Sequence, residues 1–187
     1  TYLGAGFYTW QDGERNLRMV VAPAQKKAIA KTKVHFQVGP DGRTFSCPGD
    51  DCWLCQRSAE LMDSQDDEDV EEGKGLRPKN RYLFLAYDTD DVDAGIQIVE
   101  VGVTVYDDLI GYIKDDDWGV IWDAEEGYDF TVTKTGRKKK TKYETRVRKN
   151  PSSIAEEIAE ALATDELPDL TDLRKFASGE EMRKAYE

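Results

Sequence analysis

The pattern of apolar and polar residues predicts a chain built mainly of short β-strands. Apolar side chains that recur at every second position are typical of a strand with one buried face. In residues 24–38, Val34, Phe36 and Val38 alternate with lysines and His35, so His35 is expected on the face opposite the apolar set. The other predicted strands lie at 17–21, 81–88, 96–106, 119–122, 128–132 and 141–149.

Helices are predicted between or after these strands. A short helix begins near Trp53, and a second follows Asp107, which can cap its N-terminus. Ser153 and Ser178 each have a glutamate three positions later, a capping-box pattern that predicts two helices near the C-terminus. Residues 63–72 carry seven acidic side chains and no basic one, which predicts a solvated loop over 63–75.

These elements predict a mainly β chain of the α+β class, built as a small Greek-key barrel or a similar β fold. The length of 187 residues suits one domain with appendages, here a core over 1–150 and an acidic helical segment over 151–187. No apolar run approaches the roughly 18 residues that a membrane span needs, and the first residues lack the features of a signal peptide. A soluble, cytoplasmic protein is therefore expected.

The distribution of charge matters more than its total. The net charge of −12 disfavours nucleic-acid binding by the chain as a whole. Residues 134–149, however, contain nine lysines or arginines and one glutamate, whereas residues 156–187 contain ten acidic and four basic residues. The chain is thus divided into a basic hairpin and an acidic C-terminal segment, which can compete for a cationic groove or bind basic partners.

The three cysteines and the single histidine predict one structural zinc ion. Their spacing is His35-x11-Cys47-x4-Cys52-x2-Cys55, and a close Cys-x2-Cys pair on a tight turn suits a tetrahedral ion. The predicted ligands are these four side chains, and the ion would act as the core of a subdomain over about residues 35–75. Two alternatives stay open, namely free thiols with a surface histidine, or Asp50 or Asp51 in place of His35.

A catalytic metal is not expected at this site. Four protein ligands leave no open position for a water molecule. The zinc deaminase pattern requires His-x-Glu, and Gln37 occupies the glutamate position here. We therefore predict no catalytic residues and no enzymatic activity.

Basic residues interleaved with aromatic ones predict a surface for single-stranded nucleic acid. Phosphates require positive charge, and unpaired bases require flat stacking surfaces. The candidate cations are Arg18, Lys31, Lys33, Arg77, Lys79, Arg81, Arg137, Lys138, Lys139, Lys140, Lys142, Arg146 and Arg148, and the candidate aromatic residues are Tyr82, Tyr87, Tyr106, Trp122 and Tyr143. The plainer alternative is a solvated hairpin tip with the aromatic residues in the core.

Further motifs lie at residues 8–18 (YTWQDGERNLR), 34–36, 44–47, 52–55, 79–82 and 101–106. With the metal spacing, they make the chain resemble the single-stranded DNA-binding, helix-destabilising proteins of tailed bacteriophages, over most of residues 7–150. The resemblance implies an OB-fold core, a zinc subdomain with one histidine and three cysteine ligands, and an acidic C-terminal segment that recruits replication and recombination proteins. The sequence departs from the family in lacking its basic N-terminal arm and in the short Cys47-x4-Cys52 spacing.

The leading hypothesis is a non-enzymatic protein that coats and protects single-stranded DNA, without sequence preference, during replication, recombination and repair. If the protein is encoded by a phage, it would act in the cytoplasm of the infected bacterium. The alternative from another class is a zinc-stapled adaptor that binds proteins through its acidic segments. A third interpretation is a metal-dependent nuclease or polymerase accessory that uses the aspartates at 88–93 and 115–117, although these clusters look like turns.

Overall fold

The computed structural model describes residues 6–137, 140–164 and 166–187, and Lys138 and Lys139 of the predicted surface lie outside these ranges. The chain divides into two compact units. Unit 1 comprises Thr1–Ala30 and Tyr82–Thr171, and unit 2 comprises Lys31–Arg81 and Asp172–Glu187.

The secondary structure alternates short strands with short helices. In chain order the elements are β1 (Gly13–Val20), β2 (Ala30–Val38), β3 (Arg43–Ser46), α1 (Trp53–Met62), α2 (Asp67–Leu76), β4 (Lys79–Asp88), a 3-10 turn (Val92–Ala94), β5 (Gln97–Val101), α3 (Val103–Ile113), β6 (Phe130–Thr135), β7 (Lys142–Val147), α4 (Glu156–Thr164) and α5 (Gly179–Tyr186). No helix within the described ranges is long and apolar enough to cross a membrane.

Unit 1 is an antiparallel sheet that curls into a half-barrel. Its strand order is β5–β4–β1–β6–β7, and every adjacent pair runs antiparallel. The central strand β1 pairs with two strands that are distant in sequence, which is typical of barrels with non-sequential strand order. The prediction of a mainly β, OB-fold-like architecture with helical additions is confirmed.

The core of unit 1 lies on the inner face of this sheet. Leu17 and Met19 of β1 pack with Phe84 of β4 and Phe130 of β6, and all four side chains are fully buried. Burying a side chain of this size stabilises a fold by about 1.5–3 kcal/mol relative to leaving it exposed. The same cluster includes Leu109 of α3, so this helix packs on the sheet.

Unit 2 contains the β2–β3 hairpin, helices α1 and α2, and α5 from the end of the chain. The expectation of a solvated loop over 63–75 was wrong, because α2 occupies most of it. The Asp66 carboxylate accepts a hydrogen bond from the Glu68 amide, and acidic side chains in the first turn favour a helix N-terminus. Gly73 lets α2 approach α1, since a Cβ at that position would lie 2.9 Å from the Ser58 carbonyl oxygen.

The predicted strand at 96–106 was also too long. It ends at Val101, and α3 begins at Val103, so Asp107 lies inside the helix and does not cap it. Val105 and Leu109 are buried at a helical spacing of four, whereas Val103 is 51% exposed. Valines at every second position fit a strand, and Val105 with Leu109 also fits a helix, so the apolar pattern alone does not locate the boundary. In the structure, Gly102 lies between the end of β5 and the start of α3.

The predicted hairpin, the helix at Trp53 and the capping box at Ser178 are confirmed. Residues 119–122, predicted as a brief strand, form turns and irregular backbone. Helix α4 begins at Glu156, so the predicted helix is present. The Ser153 hydroxyl, which was predicted to cap it, donates to the Glu125 carbonyl oxygen, 3.3 Å away.

Candidate metal centre and nucleic-acid interface

His35 lies in the interior of unit 2, just before a bulge in β2. His35 pairs with Phe45, but the register has shifted by the pair Val38–Arg43, and Gln37 has a φ of 56°. Val34 and His35, which are adjacent in sequence, are both fully buried. Val34 and His35 pair in one regular register before the bulge, so they lie on opposite faces of β2 as predicted. The expectation that the face of His35 is polar and solvated was wrong at this position, because both side chains are buried.

The three cysteines follow the hairpin and begin the next helix. The Cys47 amide, just after β3, donates to the Lys33 carbonyl oxygen at 2.9 Å. A turn through Gly49, whose φ is +102°, leads to Cys52, the N-cap residue of α1. Cys55 lies in the first turn of α1, so the spacing of three residues places it on the same side as Cys52.

The histidine and the three cysteines form one compact cluster. The Sγ atoms of Cys52 and Cys55 lie 3.2 Å and 3.7 Å from His35 Nε2, and the Sγ atoms of Cys47 and Cys55 are 3.5 Å apart. A tetrahedral ion with metal–sulfur bonds near 2.3 Å holds its ligand atoms about 3.6–3.8 Å apart. All four ligand atoms lie within 4.8 Å of one another, close enough to bind one metal ion.

The histidine ring is oriented for metal binding. Its Nδ1 is 2.6 Å from the Leu76 carbonyl oxygen, which can only accept a hydrogen bond, so Nδ1 carries the proton and Nε2 faces the sulfur atoms. Such a bond to the second nitrogen fixes ring orientation in metal sites. Burial lowers the pKa of His35, which favours the neutral, ligating form.

Burial favours the protonated form of the Cys52 and Cys55 thiols. Burial raises the pKa of Cys55 to about 12 and also raises the pKa of Cys52. Metal binding must therefore displace protons from these groups, so affinity rises with pH. The exposed residues Asp50 and Asp51 are not part of the cluster, so the arrangement supports His35 and not a carboxylate as the fourth ligand.

The β6–β7 hairpin presents the densest group of cations in unit 1. Register places Lys142, Glu144 and Arg146 on one exposed face, opposite Tyr143, Thr145 and Val147. Arg146 pairs with Glu144 at 2.5 Å, and Arg148 donates to the Asn16 side chain at 2.9 Å. Among the described residues, the exposed cations of this hairpin and its flanks are Arg137, Lys140, Lys142, Arg146, Arg148 and Lys149.

Unit 2 carries a separate set of predicted cations. Lys31, Lys33, Arg77 and Lys79 are exposed. The Arg81 guanidinium lies 5.7 Å from the ring centroid of Phe36. Strict alternation assigned Phe36 to the core, but its side chain is half-buried, so it is a further candidate aromatic residue for a surface.

Two predicted DNA contacts are internal residues. Arg18 is fully buried, where it forms an ion pair with Asp129 at 2.9 Å and donates to the Asp123 carbonyl oxygen and to Ser152. Tyr87 is 4% exposed, and its hydroxyl accepts a hydrogen bond from the Ala155 amide. Neither side chain has a surface for DNA, so we omit both from the interface. The burial of Arg18 was not predictable from sequence, since its partners lie more than 100 positions away.

The remaining aromatic candidates differ in exposure. Tyr82 is also buried, at 6% exposure, so we omit it as a direct DNA contact. Its ring stacks on Tyr106 with centroids 3.6 Å apart and an interplanar angle of 2°. Tyr106 and Trp122 are half-buried at the edge of the core. Tyr143, also half-buried, contacts Trp10 edge to face at 6.1 Å. Of these residues, Tyr106 combines partial exposure with a rigid stacked support.

A curled antiparallel sheet with a basic hairpin and half-buried aromatic residues at the edge of its core is typical of nucleic-acid-binding proteins of the OB-fold type. The family model described as gp32 DNA binding protein like matches residues 11–187, and the chain belongs to this family. The resemblance to helix-destabilising proteins is thus confirmed, and the chain is a single-stranded DNA-binding protein whose cluster is compatible with the zinc-containing type. Comparison with curated proteins finds no match for the chain.

Proposed function

We propose that this protein coats and protects single-stranded DNA without sequence preference, and holds it unpaired during replication, recombination and repair. The observation that carries the proposal is the exposed basic face of the β6–β7 hairpin, whose strand β7 also contacts the helix that bears Tyr106. That helix, α3, packs against β7, and its Asp108 carboxylate accepts a hydrogen bond from the Thr145 amide at 3.2 Å. Charge and an aromatic surface are thus carried by adjoining elements of unit 1.

The hairpin cations would bind the phosphate backbone. Lys140, Lys142 and Arg146 contact phosphates in this proposal, and each contact releases counterions, so log K falls with log salt at about 0.7 per phosphate for single strands. Phosphates are the same in every sequence, and base stacking tolerates every base. The result is affinity with little sequence preference.

Tyr106 would supply the main stacking surface in unit 1. Replacing Tyr106 with alanine is expected to weaken binding of oligothymidine by about 1–3 kcal/mol, or roughly 5–150-fold, because one base loses its platform. Tyr106→Phe keeps the ring and should bind within about twofold of wild type. Fluorescence anisotropy at constant salt measures both.

Phe176→Ala is the matched control, since Phe176 is an aromatic residue of unit 2 that is 59% exposed. Its affinity for oligothymidine should equal that of wild type. Unchanged affinity of the correctly folded Tyr106→Ala variant would exclude Tyr106 from the interface.

Preference for unpaired strands should appear as duplex destabilisation. A ligand that binds the single-stranded form lowers the melting temperature of a duplex by mass action. An AT-rich duplex melted at low salt with an excess of the protein is expected to melt at a lower temperature than alone. A raised melting temperature would show that the protein prefers the duplex and would contradict this function.

We infer that the metal is zinc and that its role is structural. Three thiolates and one imidazole are ligands that favour zinc, and four protein ligands leave no open position. His35, Cys47, Cys52 and Cys55 would hold the ion, which supplies folding free energy to unit 2 when bound. A site of this kind has no place for a reacting water, consistent with a binding protein that is not an enzyme.

The acidic C-terminal segment, residues 151–187, would bind replication and recombination proteins, while residues 1–150 bind DNA. Glu156, Glu157 and Glu160 of α4 are exposed and form an acidic surface suited to a basic partner. If these glutamates are replaced by neutral residues, oligonucleotide binding should remain, because DNA binding is assigned to residues 1–150. In a bacterium infected by a phage, the protein would act in the cytoplasm.

A further inference from the structure

Helix α5 completes the apolar cluster around the metal ligands. Met182, in the middle of the helix, is 1% exposed and belongs to the same cluster as Cys47 and Cys52. The helix begins with a complete capping box at Ser178 and Glu181. It lies so close to the β2–β3 turn that a Cβ at Gly39 would overlap the Ala185 carbonyl. The end of the chain is therefore an integral part of unit 2.

Tyr186 connects α5 to both other helices of unit 2. Its ring lies 5.6 Å from that of Trp53 in α1, and its hydroxyl accepts a hydrogen bond from Arg57 Nε at 3.4 Å. The same hydroxyl donates to the Glu72 carboxylate of α2 at 2.6 Å. One side chain thus bridges α1 and α2, which also pack directly on each other.

Those two helices position three of the four metal ligands. Cys52 and Cys55 belong to the N-cap and first turn of α1. Leu76, the last residue of α2, accepts the hydrogen bond that orients the His35 ring. A change in the position of either helix would therefore move sulfur atoms or rotate the imidazole.

We propose that Tyr186 is a positioning residue of the metal centre, which holds α1 and α2 so that Cys52, Cys55 and His35 converge on the ion. The proposal rests on the metal site inferred above. The Tyr186 hydroxyl bonds to Arg57 and Glu72 and, among the described residues, to none of the four ligands, so its effect passes through the helices. Loss of an outer partner of a metal site typically weakens metal binding about 10–100-fold, and we expect an effect of this size.

The test uses the full chain and two readouts. Cobalt(II) replaces zinc, and its visible spectrum reports the coordination geometry, while competition with a chromophoric chelator gives the zinc Kd. Wild type should bind one cobalt ion per chain with the spectrum of a tetrahedral thiolate site. Tyr186→Ala should raise the zinc Kd about 10–100-fold and change the cobalt spectrum. Tyr186→Phe, which keeps the ring contact with Trp53, should recover part of the affinity.

Glu72→Gln and Phe176→Ala complete the design. Glu72→Gln leaves the packing of α5 intact and weakens its bond to Tyr186, so the zinc Kd should rise by less than in Tyr186→Ala. Phe176→Ala removes an exposed ring from Asp172–Glu187, the part of unit 2 that contains α5, and should leave the zinc Kd unchanged. If Tyr186→Ala fails to fold even with zinc, an unchanged Kd in both Tyr186→Phe and Glu72→Gln overturns the proposal.

The outcomes separate this proposal from the ones before it. A wild-type Kd and cobalt spectrum in Tyr186→Ala would overturn the positioning role while leaving the metal site in place. A wild-type protein that binds no cobalt or zinc would overturn the metal site and the positioning role together. Oligothymidine binding, measured separately by anisotropy, tests the DNA-binding function independently of both.

Discussion

Replacing Cys52 with serine is expected to remove the metal from the protein and the ordered structure from unit 2. Cys52 is fully buried among the other ligands, and two ligands, Cys47 and Cys52, are themselves members of the apolar cluster of this unit. Structural zinc contributes about 10–16 kcal/mol to small domains, as much as the 5–15 kcal/mol that stabilises a typical domain. A serine hydroxyl is a much poorer zinc ligand than a thiolate, so the variant should lose more than a hundredfold in zinc affinity.

Two measurements check this result. Metal content of the purified protein should fall from one zinc per chain to almost none, and limited proteolysis should cleave the variant within residues 31–81. Asp51→Ser is the matched control, because Asp51 is exposed and precedes Cys52 directly. It should behave as wild type. A Cys52→Ser protein with a full complement of zinc and wild-type protease resistance would contradict the proposed ligand set.

The second large effect concerns the basic hairpin. Replacing Lys140, Lys142 and Arg146 with alanine should lower the slope of log K against log salt by about 2, from three contacts at roughly 0.7 each. Arg146 already pairs with Glu144, so the loss at that position should be the smallest of the three. Affinity for oligothymidine should fall most at low salt, where the electrostatic contribution is greatest.

A second triple variant separates local contacts from total charge. Lys26, Lys27 and Lys114 are exposed residues of unit 1 outside the hairpin, and their replacement by alanine changes the net charge by the same amount. This control should keep the wild-type slope. Equal loss of slope in the two triple variants would show that the hairpin is not the phosphate-binding track.

The parts of the structure that were predictable depend on local patterns. The β6–β7 hairpin has clean alternation and a turn at Gly136, and the Cys-x2-Cys pair needs only a tight turn before a helix. Both follow from short segments that specify their own geometry. The spacing of the cysteines was therefore enough to predict the metal cluster. His35 could be assigned to it because the chain has no other histidine.

The parts that failed depend on contacts between distant segments. The acidic run at 63–75 becomes helix α2 because Gly73 fits against α1, and the Ser58 hydroxyl donates to the Gly73 carbonyl oxygen at 2.7 Å. Arg18 resembles any surface arginine until the fold places Asp129 and Ser152 beside it. Amino-acid composition predicts only whether a segment is solvated on average. The structure around these residues depends on contacts with particular partners, and those contacts form only in the folded chain.

Binding of single-stranded DNA is tested most directly by titrating the full chain with fluorescently labelled oligothymidine and following the anisotropy at low and moderate salt. We expect tight binding that weakens steeply with salt, and much weaker binding of a duplex of the same length. Absence of binding at low salt, in a protein shown to contain its metal, would contradict the single-stranded DNA-binding function and would favour a zinc-stapled protein adaptor.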